Sequence, residues 1–358
     1  MRYIPLDQIA PLIDGALGLV PRGDSLQPIR LPPEDMPLHH PALRSPMTAE
    51  SAAGVRLRLR TNTDQLTLEV EHDAISLATP QMVLPVCAYD LVTPDGRVTR
   101  VTAEQAEGPA TIRFDGLGVD EKLLEVWLPQ GAGVRIRSLA VSDGARVKPA
   151  ADHRPHWVTY GSSITHCAWV PGPTETWPAT AARRLGWRLT CLGFNGGCHF
   201  DPLVARAMAA LKADRYTLKL GINIHNLQTL RARTFAPLVH GFIATLRERH
   251  PKTPITLISP IFSPGREDSP VTNIPTRFGG EPMVGDLSLN DMRRALAEVV
   301  ELHQARGDAA IDYLDGRELF GEADVALLPD ELHPSPEGYA LIGERFAKIF
   351  SRRRDGLQ

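Results

Sequence analysis

His156-Trp157-Val158-Thr159-Tyr160-Gly161-Ser162-Ser163-Ile164-Thr165 is the stretch on which the fold turns. A short apolar strand stops at a glycine and two serines, as a strand does on entering a helix. In open α/β sheets the carboxyl edge of such strands is where ligands bind. Downstream, short strands are expected at 188–193, 215–220, 254–261 and 310–314, alternating with helical stretches. That alternation is the pattern of βα units, a parallel sheet covered on both faces. The helices carry apolar stripes: Met292, Leu296 and Val299, then Tyr339, Ile342, Phe346 and Ile349, with Ser335 as N-cap and Pro336 at the first helical position.

Upstream the period changes from 3.6 to 2. Val55, Leu57 and Leu59 alternate with arginines, and Leu66, Leu68 and Val70 alternate with Thr67, Glu69 and Glu71. Such alternation marks half-buried antiparallel strands. Further strands are expected at 83–91, 97–102, 111–115, 122–128 and 133–142, separated by turns such as Pro94-Asp95-Gly96. Short strands without a helix imply a β-sandwich, around which the first fifty residues, rich in Pro and His, are expected to wrap. The polar segment Lys148 to Arg154 marks the change of period, so the domains are read as 1–150 and 151–358.

Composition narrows the function. The 358 residues carry a net charge of −3 with 43% hydrophobic and 23% charged residues, which is a globular balance and excludes nucleic acid as an expected partner. No run of 18 apolar residues is long enough for a membrane helix, and Met1 to Val20 lacks the basic-then-apolar design of a signal peptide, so the chain reads as cytoplasmic, with no membrane partner. The four cysteines form no CxxC pair and read as free thiols.

Four segments could carry chemistry. Gly161-Ser162-Ser163 offers a hydroxyl nucleophile. In Asp330-Glu331-Leu332-His333-Pro334, an Asp three residues before a His can hold Nδ1–H and leave Nε2 free to take a proton. Gly193-Phe194-Asn195-Gly196-Gly197 and Gly221-Ile222-Asn223 sit where the second and third strands end, and a glycine N–H with an asparagine amide can hold a developing oxyanion. Each alone also reads as a turn or a helix cap. His166, His199 and His225 lie beside these loops without HxH or HxxxH spacing, so no metal and no cofactor is expected. Cys167 and Cys198 read as inert thiols.

In that order, GSSIT, GFNGG, GIN and DELHP resemble the GDSL or SGNH family of serine esterases and acyltransferases over about 200 residues. The resemblance implies a three-layer α/β/α flavodoxin-like domain with a parallel sheet, here preceded by an antiparallel, jelly-roll-like sandwich. It implies Ser163 as nucleophile, His333 as general base and then acid, Asp330 as its partner, and an oxyanion hole from Ser163 N–H, Gly196 N–H and the Asn223 side chain. Three positions depart from the pattern: Ser162 replaces the usual Asp, Gly197 a frequent Asn, and Ile224 a common Asp. The two-domain plan and Thr176-Trp177-Pro178-Ala179 resemble the subset that includes a salicylyl acyltransferase of tetracycline biosynthesis.

The expected reaction is hydrolysis of a carboxylic ester or thioester through an acyl-enzyme. The alternatives are transfer of the acyl group to an alcohol of a natural product or sugar, and a glycan-binding protein with an inactive hydrolase domain. The partners are therefore a small acyl ester or thioester and an alcohol acceptor in the transferase reading. Trp169, Trp177, His225 and Arg277 are the expected substrate contacts. Residues 262–285 read as a long binding loop or lid, its Arg266 and Arg277 more as solvated charges than as anion ligands.

Overall fold

The computed structural model describes residues 1–73, 85, 87–103, 108–274, 276 and 280–355. The chain forms two units. The first holds Met1–His153 together with His166–Ala179, and the second holds Arg154–Thr165 and Thr180–Gln358.

The first unit is an antiparallel β-sandwich. Its strands are β1 (Arg2–Ile4), β2 (Ile13–Asp14), β3 (Gly18–Arg22), β4 (Ser25–Ile29), β5 (Arg56–Thr61), β6 (Leu66–His72), β7 (Ala88–Val92), β8 (Val98–Thr102), β9 (Gly108–Phe114), β10 (Lys122–Trp127), β11 (Val134–Val141) and β12 (Val147–Pro149). One sheet runs β3-β4-β11-β6-β9 with β1 on β11, the other β12-β5-β10-β7-β8 with β2 on β5. The period-2 pattern explains the core: Leu66, Leu68 and Val70 of one sheet and Leu57, Leu59, Leu124 and Val126 of the other are buried in one cluster. Each such leucine contributes about 1.5–3 kcal/mol by leaving water.

Two expectations change. The first fifty residues do more than wrap the sandwich, since they supply β1 to β4 and so take places in both sheets. Their strands are short, and Pro21 and Pro28 interrupt the alternation in the β3–β4 hairpin at the edge of its sheet, where proline is tolerated. The arginines alternating with Leu57 and Leu59 are not all solvated: Arg56 and Arg58 are buried. Arg56 bonds Asp14 and lies 4.9 Å from the Trp127 ring centroid, while Arg58 meets Glu125 at 3.1 Å, so ion pairs and an aromatic face replace water. In the strand expected at 83–91, residues 83, 84 and 86 lie outside the described residues.

The second unit is a three-layer α/β/α domain. Its parallel strands are β13 (His156–Gly161), β14 (Arg188–Gly193), β15 (Arg215–Lys219), β16 (Ile255–Ile258) and, after the small hairpin β17 (Val271–Thr272) and β18 (Met283–Val284), β19 (Ile311–Leu314). They lie in the order β14-β13-β15-β16-β19, the 2-1-3-4-5 order of flavodoxin-like sheets. Side chains of opposite parity on β13 reach opposite layers. Trp157 stacks on Phe346 at 4.9 Å, and Tyr160 stacks on Phe242 at 5.2 Å. Because β14 and β15 flank β13 on either side, the strand order reverses there, and the crevice at the carboxyl ends of these strands is the place for a site. Among the described residues no helix is long and apolar enough to cross a membrane.

Candidate active site

Gly161 ends β13 because nothing larger fits: a Cβ there would lie 2.2 Å from Thr165 Oγ1. The chain turns at once into the short helix Ser163–His166, whose first residue is only 6% exposed. Ser162 Oγ accepts from Ile164 N–H at 3.3 Å, so a hydroxyl braces this turn where the family pattern has a carboxylate.

The loop before the last helix, Pro336–Asp355, brings His333 to the serine. Ser163 Oγ lies 2.9 Å from His333 Nε2. His333 Nδ1 donates to Asp330 Oδ2 at 2.8 Å, and Asp330 Oδ1 accepts from the N–H groups of Leu332 at 3.0 Å and His333 at 2.6 Å. Burial pushes the Asp330 carboxyl up, but its bonds from His333 and the two backbone N–H groups outweigh that and hold it well below the usual carboxylate range. An ionised acceptor on Nδ1 fixes the tautomer, leaving the Nε2 lone pair facing a hydroxyl. Such a relay can deprotonate Ser163 as its oxygen attacks an electrophile.

The ends of the two neighbouring strands supply the polar rim. Gly196 adopts φ +67° with open space where a Cβ would stand. Its carbonyl accepts from His199 Nε2–H at 2.8 Å, and Thr229 Oγ1 lies 2.8 Å from the other ring nitrogen, so His199 pins this turn. Asn223 is buried and its Oδ1 accepts from Cys198 N–H at 3.0 Å. That bond orients the amide, turning its NH₂ away from Cys198. Burial pushes the Cys198 thiol up to about 12, so it is no rival nucleophile near neutral pH.

Of the four expected substrate contacts, two are buried side chains. His225 is fully buried, and its Nε2 donates to the Ser269 carbonyl at 2.9 Å, tying the Ile222–Leu227 helix to the insertion. Burial also lowers its pKa. Trp177 is fully buried packing, because an aromatic in an apolar helix stripe is drawn into a core. Trp169 is 37% exposed and belongs to the first unit, and Arg277 lies outside the described residues. Arg266, read from sequence as a solvated loop charge, is 7% exposed and donates to the Glu331 carbonyl at 2.9 Å. No local motif marks this contact, which joins residues 65 apart. Among the described residues no group of three or more His, Cys, Asp or Glu gathers to hold a metal.

Residues 159–341 match the GDSL-like Lipase/Acylhydrolase family. Among solved structures the chain is similar to the salicylyl-acyltransferase SsfX3 from a tetracycline biosynthetic pathway, at 30% identity, with 98% of this chain and 97% of that one covered and a TM-score of 0.86. It also resembles a GDSL-like lipase from Bacteroides ovatus (19% identity, 98% and 97% covered, TM-score 0.76) and a family two carbohydrate esterase from Cellvibrio japonicus (15%, 100% and 99%, TM-score 0.61). These last two likenesses show the fold. No curated protein matches the sequence. The family match covers every loop that meets at the sheet edge, from Ser163 to His333, and the chain belongs to the GDSL-like lipase/acylhydrolase family of enzymes.

Proposed function

We propose that the protein transfers acyl groups through an acyl-enzyme on Ser163, hydrolysing a carboxylic ester or thioester. The observation that carries this reading is the continuous relay from Ser163 Oγ to His333 Nε2 at 2.9 Å and from His333 Nδ1 to Asp330 at 2.8 Å. Ser163 Oγ attacks the acyl carbon while His333 Nε2 takes its proton and then delivers it to the departing alcohol or thiol. Asp330 holds the imidazole and stabilises the imidazolium as it forms. Ser163 N–H, Gly196 N–H and the Asn223 amide stabilise the oxyanion. Water then attacks the acyl carbon as His333 Nε2 takes its proton, and His333 returns that proton to Ser163 Oγ as the bond to the acyl group breaks and the acid leaves. The intact relay speaks against a glycan-binding protein with a dead hydrolase domain.

A second reading replaces water by an alcohol. It draws on the full-length likeness to a salicylyl-acyltransferase, sandwich included. Both readings share the first half-reaction, so the acceptor distinguishes them. The protein is incubated with a panel of simple esters and acyl thioesters, with and without added alcohols. Free acid formed at a rate indifferent to alcohol supports hydrolysis. A new ester, formed at the expense of free acid, replaces it with the transferase reading. No acyl product under any condition overturns both.

A further inference from the structure

Glu331 stands between Asp330 and His333 at φ 61°, the left-handed region that a residue with a Cβ enters under strain. This turn bends the Asp330 carboxylate back onto the Leu332 and His333 N–H groups and onto His333 Nδ1. The Glu331 side chain is exposed, so its own packing does not hold the turn. Its carbonyl does. It accepts from Ser263 Oγ at 2.7 Å and from Arg266 Nη1 at 2.9 Å, both residues being buried.

The two donors are themselves anchored. Arg266 Nη1 also meets Ser263 Oγ at 3.0 Å, and the Arg266 carbonyl accepts from Leu289 N–H at 3.0 Å, where the helix Leu289–Ala305 begins. Ser263 N–H donates to Glu267 Oε1 at 3.0 Å, and Glu267 takes both arms of Arg293 from that helix, at 2.6 and 3.0 Å. Arg293 in turn donates to the Pro260 and Ile261 carbonyls just past β16. The clamp thus connects the frame of the domain to one strained peptide beside the relay.

We propose that Arg266, with Ser263, is a positioning residue: it holds the Glu331 peptide in the left-handed turn and so presents the Asp330–His333 pair to Ser163. The inference rests on the reading of Ser163, His333 and Asp330 as the acyl-transfer relay. Arg266 touches no reacting atom and acts through Glu331.

The test compares parent, Arg266→Gln, Ser263→Ala and Arg266→Gln/Glu331→Gly on a turned-over ester, with rates normalised to folded protein. Arg266→Gln is expected to lower kcat about 10- to 100-fold with KM within about twofold, the signature of misplaced catalytic groups. Glu331→Gly in the same chain is expected to restore most of the loss, because glycine adopts the turn without strain. A role in overall stability alone would not be relieved at position 331. Ser263→Ala, a milder change, is expected to lower kcat about 3- to 10-fold and keeps the test open if Arg266→Gln does not fold. An unchanged kcat in folded Arg266→Gln, or in folded Ser263→Ala when the arginine variant does not fold, overturns the clamp, as does a loss that Glu331→Gly leaves in place. Ser163→Ala run alongside separates the two claims: if it keeps activity, the relay reading fails, whatever the clamp does.

Discussion

His166 follows Ser163 by three residues and His333 by 170, yet it is the distant one that meets the serine. The two rings differ in what surrounds them. The His333 side chain is 30% exposed, with a carboxylate on one nitrogen and the Ser163 hydroxyl on the other. His166 is sealed in the first unit, its Nε2 donating to the Gln130 carbonyl at 2.6 Å with Ser51 Oγ 3.0 Å away. Burial first, and the Arg30 guanidinium second, push its pKa down to about 3. A ring bonded to a carbonyl beside a fixed cation is a neutral structural strut, whereas a ring between a carboxylate and a hydroxyl can pass a proton. Partner chemistry separates the two roles, and distance along the chain does not.

The largest expected effect is on the reactive side of this comparison. Ser163→Ala is expected to lower ester turnover at least about 10⁴-fold with an unchanged circular dichroism spectrum. Retained turnover would erase the distinction between the two histidines. Next, Asn223→Ala is expected to lower kcat about 10²- to 10³-fold, as loss of one oxyanion donor does; a rate equal to the parent's removes Asn223 from the site.

On the structural side, His166→Ala is expected to destabilise the protein by roughly 2–4 kcal/mol in denaturant unfolding, through a buried cavity and lost hydrogen bonds. Turnover per folded molecule should fall less than about tenfold, and a loss as large as that of Ser163→Ala would merge the two regions. The His166 ring also predicts an acid-side signature. Its folded pKa of about 3 lies below the ordinary 6.5, so the unfolded chain takes up the proton first as pH falls. Its contribution is complete above pH 6.5 and is lost progressively toward pH 3. Thermal melts across that window should slope less in folded His166→Asn than in the parent, and identical slopes would mean that the ring is not kept neutral. The smallest effect is expected from iodoacetamide near neutral pH: all four cysteines are buried, so activity should persist, and rapid inactivation would point to a thiol at the site.

The parallel sheet was legible because its strands are apolar runs closed by turn residues, and expected and observed bounds differ by at most three residues, as at 254–261 against Ile255–Ile258. Asp330 and His333 were legible because a three-residue spacing makes their contact local. The N-terminal strands were harder: β1 to β4 are short and two carry proline, which hides a period of 2. Buried polar residues were hardest. Arg56, Arg58 and Arg266 look like surface residues until partners from elsewhere in the chain are in place, and no spacing rule reports a bond such as that between Arg266 and Glu331. Trp177 was ambiguous for the opposite reason, since an aromatic in a helix stripe serves core and pocket equally well, and it is fully buried.

The central claim is that an acyl group rests on Ser163 during turnover. The direct measurement is intact-protein mass after acid quench of a reaction with an activated ester or acyl thioester, followed by peptide mapping. The account predicts a mass increase equal to one acyl group, located on the peptide containing Ser163 and absent in Ser163→Ala. An adduct on another residue, or turnover by Ser163→Ala at the parent's rate, would contradict it.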